Sequence, residues 1–146
     1  MSIEFKEVDF HVIDEDFSRY TLKDRTLLKA KVVVKKILAH PEKTPQGYPL
    51  SIGLDTVNVV SAIVDQSQKR KPTLEPINLQ TDKAEEIDFN EFGETKLQRY
   101  MTTDGYTVTV RPVVTKVLKF EKYNSYGEPI YQAIIQAITN VEKNKT

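Results

Sequence analysis

The chain has 146 residues, no cysteine, and 21 basic against 21 acidic residues. That length suits one domain or two very small ones, with a core that needs no staples; lack of cysteine rules out disulfides and thiolate metal sites. Zero net charge does not point to nucleic acid, the N-terminus lacks the apolar core of a signal peptide, and no apolar run approaches the ~20 residues that span a bilayer, so a soluble cytoplasmic protein without a membrane partner is expected.

The chain begins with an acidic lead segment: residues 1–16 hold six acids and one base. A short strand follows, Arg19 to Arg25, ending at an Asp24-Arg25 turn. Leu27 to Ala39 reads as helix or strand from periodicity alone. A polar connection closed by Gly47-Tyr48-Pro49 leads to a third apolar segment, Leu50 to Val64. There Ile52, Leu54, Thr56, Asn58 and Val60 share a face by alternation. Residues 66–81 are polar, carry Pro72 and Pro76, and read as a linker.

The second half repeats the first. Arg19–Pro49 aligns with Arg99–Pro129 at an offset of 80 without a gap, and nine of the 31 positions are identical. The identities include Arg19/Arg99, Tyr20/Tyr100, Asp24/Asp104, Lys36/Lys116 and Gly47/Gly127. Upstream, Val8-Asp9-Phe10 matches Ile87-Asp88-Phe89 at an offset of 79. The duplication resolves the ambiguous segment, because Pro112 stands where Val32 stands. Proline inside a helix costs about 3 kcal/mol, so both long segments are expected to be strands, the second an edge or bulged one. Alternation then puts Leu28, Ala30, Val32, Val34 and Leu38 on the core face, and Val108, Val110, Pro112, Val114 and Leu118 on its counterpart. Ile130 to Val141 is rich in Ala and Gln, which favour helix, but is read as strand by analogy with the first copy.

The expected architecture is all-β. Two related three- to four-stranded antiparallel units, residues 1–65 and 82–146, pack as one pseudo-twofold barrel or sandwich across the linker 66–81. Two small tandem domains are the alternative. Lys/Glu enrichment without cysteine is compatible with a thermophile.

Catalytic and cofactor signatures are absent from the sequence. His11 and His40 have no copies in the other repeat and form no metal-ligand spacing. Asp14, Glu15 and Asp16 lack the spacing and glycine of a calcium loop. No serine sits in a nucleophile elbow, and five glycines supply no phosphate-cradling loop. No catalytic, cofactor or metal residues are assigned. The residues that recur in both copies are the ones of interest: Arg19, Tyr20, Asp24 and Lys36 with Arg99, Tyr100, Asp104 and Lys116. Lys36 and Lys116 fall on an otherwise apolar strand face. They are either semi-buried cations or are turned to solvent by a bulge. A basic strip formed by Lys29, Lys31, Lys35 and the loop Lys69, Arg70, Lys71, with Tyr20 and Tyr48 nearby, suits a phosphate backbone. It equally suits a solvated edge, or partners in the acidic lead segments. Three functions follow, in order of preference. The first is a non-catalytic binding or assembly module acting on a protein partner or on itself; the second is a nucleic-acid-binding β-domain; the third is an enzyme with a cleft between the repeats.

Overall fold

Dense β-branched residues and frequent turn signals favour extended chain throughout. A computed structural model describes residues 6–40, 51–73, 75–78 and 81–144. Among them, ten strands make two antiparallel five-stranded sheets packed against each other, the expected all-β sandwich. The first repeat supplies β1 (Lys6–Val8), β2 (Phe10–Asp14), β3 (Ser18–Leu22), β4 (Leu27–His40) and β5 (Ser51–Ile63). The second supplies β6 (Ala84–Glu86), β7 (Phe89–Glu91), β8 (Gln98–Thr102), β9 (Tyr106–Tyr123) and β10 (Pro129–Lys143). The Ala/Gln-rich third segment of the second copy is a strand, as the first copy indicates. Its Tyr131 and Ala133 enter the core at alternate positions.

The two long strands organise the sheets identically. β5 runs along one edge of β4; β3 and β1 share the other edge, opposite Leu27–Ala30 and Ile37–Ala39 respectively. In the same way β10 lines one edge of β9, while β8 and β6 divide the other. The lead segments then cross over. β2 pairs with β8 of the second repeat, and β7 pairs with β3 of the first. The exchange is reciprocal in detail. Phe10 stands opposite Thr102, and Phe89 opposite Leu22, the equivalent position. The Thr103 N–H donates to the Asp9 carbonyl and the Lys23 N–H to the Asp88 carbonyl, each at 2.9 Å. This is what the Val8-Asp9-Phe10 and Ile87-Asp88-Phe89 match encodes: a strand given to the other repeat.

The core follows from the exchange. One buried cluster joins Tyr20, Leu22, Leu28 and Ala30 to Val114, Val117, Tyr131 and Ala133. The other joins Val34 and Ile37 to Tyr100, Val108, Val110 and Val141. Both draw on both repeats, and each buried Val, Leu or Ile contributes about 1.5–3 kcal/mol.

The core-face assignment needs one correction. Leu28, Ala30, Val32 and Val34 are buried as expected, but Ile37, not Leu38, continues the row. A register shift between Val34 and Lys36 inserts Lys35 as a bulge, and Thr115 is the extra residue between Val114 and Lys116 in β9. One extra residue reverses the alternation, so Val117 replaces Leu118 in the core by the same slip. Of the two alternatives expected for the Pro112 strand, an edge or a bulged strand, β9 is bulged, but the bulge lies at Thr115 and recurs in β4, which has no proline. Pro112 itself lies between the β8 and β6 partners of β9, where an absent N–H breaks no ladder.

The paired turns are alike despite their different sequences. Arg25 has φ 73° and Gly105 φ 96°. Their N–H groups donate to the Leu22 and Thr102 carbonyls at 3.0 and 3.2 Å. Gly127 closes the connection after β9 with φ 75°, and a Cβ there would strike the Arg70 backbone. The linker docks at that point, through an Arg70 N–H to Gly127 carbonyl bond of 2.9 Å. Gly47, Tyr48 and Pro49 lie outside the described residues.

Candidate functional site

The recurring residues are the natural starting point, and most of them serve the sandwich. Tyr20 and Tyr100 are buried in the core, at equivalent positions of β3 and β8. Phe89 meets the Tyr20 ring edge-on at 5.8 Å, and Phe10 meets Tyr100 at 5.7 Å. The Tyr20 hydroxyl lies near the Val114 backbone and Ser18; that of Tyr100 lies near the Val34 backbone and is bonded to Gln98 and Glu15. Each tyrosine thus reaches the bulge of the opposite long strand. Burial pushes both hydroxyls above their usual pKa, reinforced by Glu91 near Tyr20 and by the Glu15 carboxylate on Tyr100.

Lys36 and Lys116 are turned to the outside by the bulges. Lys36 faces Glu7 of β1 at 3.4 Å, and Lys116 faces Glu86 of β6 at 3.9 Å. Both pairs are about half exposed. Arg99 pairs with Asp14 at 3.1 Å across the exchanged β2–β8 junction. Arg19 is half-buried, and its carbonyl accepts the Phe92 N–H at 2.9 Å.

Asp24 and Asp104 are where the copies diverge. Asp104 stays local, accepting from Thr102 Oγ1 at 2.5 Å. Asp24 instead anchors a cluster drawn from the whole chain. Lys119 Nζ lies 2.8 Å from its Oδ2, the Tyr131 hydroxyl donates to the same oxygen at 2.6 Å, and the Thr26 N–H donates to Oδ1 at 3.1 Å. Gln68 of the linker donates to the Asp24 carbonyl at 2.7 Å and accepts from Lys119. Thr26 Oγ1 and the Tyr131 hydroxyl are 3.0 Å apart. Burial opposes ionisation of Asp24, but the bonds from Lys119, Tyr131 and Thr26 outweigh it and hold its pKa at about 2. Burial and that carboxylate push the Tyr131 hydroxyl well above its usual value.

This cluster can fasten the linker and the second repeat to the first. Its polar atoms serve one another, and among the described residues no buried side-chain nitrogen or oxygen lacks a partner. The sequence reading missed Lys119, Tyr131, Thr26 and Gln68, which lie up to 107 positions from Asp24. The available signal was a break in the repeat: Lys119 stands where the first copy has Ala39. A second group brings Tyr100, Glu15 and Lys31 together with Gln98, which the sequence did not single out. The Tyr100 hydroxyl donates to Glu15 at 2.7 Å, and Gln98 Nε2 lies 2.6 Å from that hydroxyl.

The basic strip is largely answered from within the chain. Lys29 and Lys31 lie over the Phe17 ring at 5.1 and 4.7 Å, and Lys31 also faces Glu15 at 3.9 Å. Lys35 faces Asp55 at 3.6 Å. Arg70 turns back to the carbonyls of Ser67 and Lys69; Lys69 is half-buried and Lys71 exposed. Several acids of the lead segments, Glu7, Asp14, Glu15 and Glu86, take up basic partners in the strands.

Among the described residues, the longest open strand edges belong to β5 and β10. β5 pairs only with β4, and β10 only with β9, so each has a second backbone edge without a strand partner among the described residues. The two strands approach each other at one end. Val60, Ser61 and Ala62 of β5 line a groove of ≈ 440 Å³ with Asn124, Tyr126 and Tyr131.

The fold and these features define the class: an all-β sandwich of two strand-exchanged repeats. The chain matches no protein-family model, no curated protein and no solved structure. Among the described residues no helix is long and apolar enough to cross a membrane.

Proposed function

We propose that the chain is a non-catalytic binding or assembly module that acts through protein–protein contacts. The observation that carries this reading is the open flank formed by β5 and β10. They are 13 and 15 residues long, and each offers a row of backbone donors and acceptors to an incoming strand. Main-chain pairing supplies affinity in such contacts, and the alternate side chains supply selectivity.

The competing readings have less behind them. Nucleic-acid binding through Lys29, Lys31 and Lys35 would require those cations to leave Phe17, Glu15 and Asp55. A cleft enzyme built on Asp24, Asp104, Lys36 and Lys116 would require groups that now have four separate sets of partners to converge.

The test is hydrodynamic and biochemical. Sedimentation of the full chain over a wide concentration range, together with affinity capture from native lysate, should reveal self-association or a retained protein. A chain that stays strictly monomeric and retains no protein would sink the proposal.

A further inference from the structure

We infer that the partner on the β10 edge is a second copy of this chain, its β10 pairing antiparallel with the first about a twofold axis at Gln136. This rests on the assembly reading above and names its occupant. Natural sheets protect open edges with charge, proline, bulges or shortness. Among the described residues the other open-edged strands carry such protection, β1 and β6 by being three residues long with Lys6 and Glu7 or Glu85 and Glu86. β5 has Asp55 at mid-strand, β7 is three residues long and carries Glu91, and β2 has Asp14 and an irregular register. β10 differs. Gln132–Ile138 contains no charge, proline or glycine, and the extra residue of the bulge lies on β9. Among the described residues, no hydrogen-bond partner occupies the outward edge of that segment. A side-chain bond from a described residue to this segment, from Thr115 Oγ1 to the Ile134 carbonyl at 3.2 Å, comes from the β9 side.

The segment is also complementary to itself. Its outer row alternates Gln132, Ile134, Gln136 and Ile138, with both isoleucines 44% exposed. Antiparallel pairing about Gln136 sets Ile134 against Ile138 of the second copy, Gln136 against Gln136, and Gln132 against Asn140. Apolar meets apolar and amide meets amide. On the inner row Ile135 meets Ala137. Glu142 falls opposite Ile130 and Lys143 opposite Pro129, so no like charges oppose each other. An isologous contact of this kind closes at two copies and joins two five-stranded sheets into one of ten. A charged edge strand of an unrelated partner would lack this match.

Gln136 is exposed, so replacing it probes the contact without disturbing the core. Wild-type chain should sediment as a dimer. Gln136→Lys and Gln136→Glu should each weaken self-association by about tenfold or more, since like charges then meet on the axis. Mixing the two should restore a heterodimer, with unchanged circular dichroism throughout. Because the chain has no cysteine, Gln136→Cys should give a single oxidised dimer. A monomeric wild type that binds another protein through this edge would overturn the second copy and leave the assembly reading standing. A dimer indifferent to Gln136→Lys and not cross-linked by Gln136→Cys would overturn the β10 assignment alone. A monomer that binds no protein would overturn both.

Discussion

The side-chain amide of Gln98 holds the backbone of Val32 at two points. The Val32 N–H donates to Gln98 Oε1 at 3.0 Å, and Gln98 Nε2 donates to the Val32 carbonyl. Both residues are buried. Val32 lies in the stretch of β4 between its β3 and β1 partners, so no strand serves that edge. In the second repeat the position of Val32 is taken by Pro112, which has no N–H. The position of Gln98 is taken by Ser18, whose hydroxyl accepts the Lys96 N–H at 3.0 Å instead. The glutamine occurs where there is a buried donor to satisfy. Gln98→Leu should cost about 1–3 kcal/mol by leaving that donor and acceptor unpaired. Urea denaturation measures this, and a loss of only a few tenths would mean that the amide is dispensable.

The strand exchange makes each repeat depend on the other. Cut within the linker, the two halves should each be largely unfolded alone and should regain strand signal when mixed, because β7 completes the sheet of β3 and β2 that of β8. Circular dichroism of the separate and combined fragments decides the point. Two independently folded halves would contradict the exchange as a stability requirement.

Arg25 occupies left-handed backbone that its equivalent, Gly105, adopts without strain. A side chain there costs about 1–2 kcal/mol, partly offset by the greater unfolded-state freedom of glycine. Arg25→Gly should therefore raise stability by up to about 1 kcal/mol, seen as a higher denaturation midpoint. Gly105→Arg should lower it.

Asp24 links the cluster to acid stability. Its folded pKa of about 2 lies below the unfolded value of about 4. Its contribution is therefore complete above the unfolded value and disappears as pH falls toward the folded one. Allowing for screening of a partly exposed pair, the contribution is on the order of 1 kcal/mol. Asp24→Asn should remove that acid-dependent increment, so stability between about pH 2 and pH 5 should vary less steeply in the variant.

Tyr20, Tyr100 and Tyr131 respond at the opposite extreme. Their hydroxyl pKa values are raised by burial and by neighbouring carboxylates. Folding is thus favoured fully below their unfolded pKa of about 10 and is progressively lost above it. Ultraviolet titration should show these three ionising together with alkaline unfolding. Replacing all three with phenylalanine should flatten that alkaline loss, although the hydrogen bonds they make will be missing at neutral pH.

The sequence alone determined the all-β class, the duplication and most of the strand faces. Each of these is local: alternation, a proline opposite a valine, and turn residues at matching offsets. It also marked Tyr20 and Tyr100 as equivalent, and they prove to be equivalent core residues. Tertiary structure alone decided which sheet each lead strand joins, since Phe10 and Phe89 have the same local chemistry whichever repeat they pair with. It decided the outward turn of Lys36 and Lys116, because one bulged residue reverses every side chain after it. It also brought Lys119 and Tyr131 to Asp24. Those contacts arise where the two copies differ, and a reading guided by what the copies share passes over them. The physical reason is common to all three. Periodicity reports which face of a strand is apolar, whereas the partner that covers the face is set by packing between residues far apart in the chain.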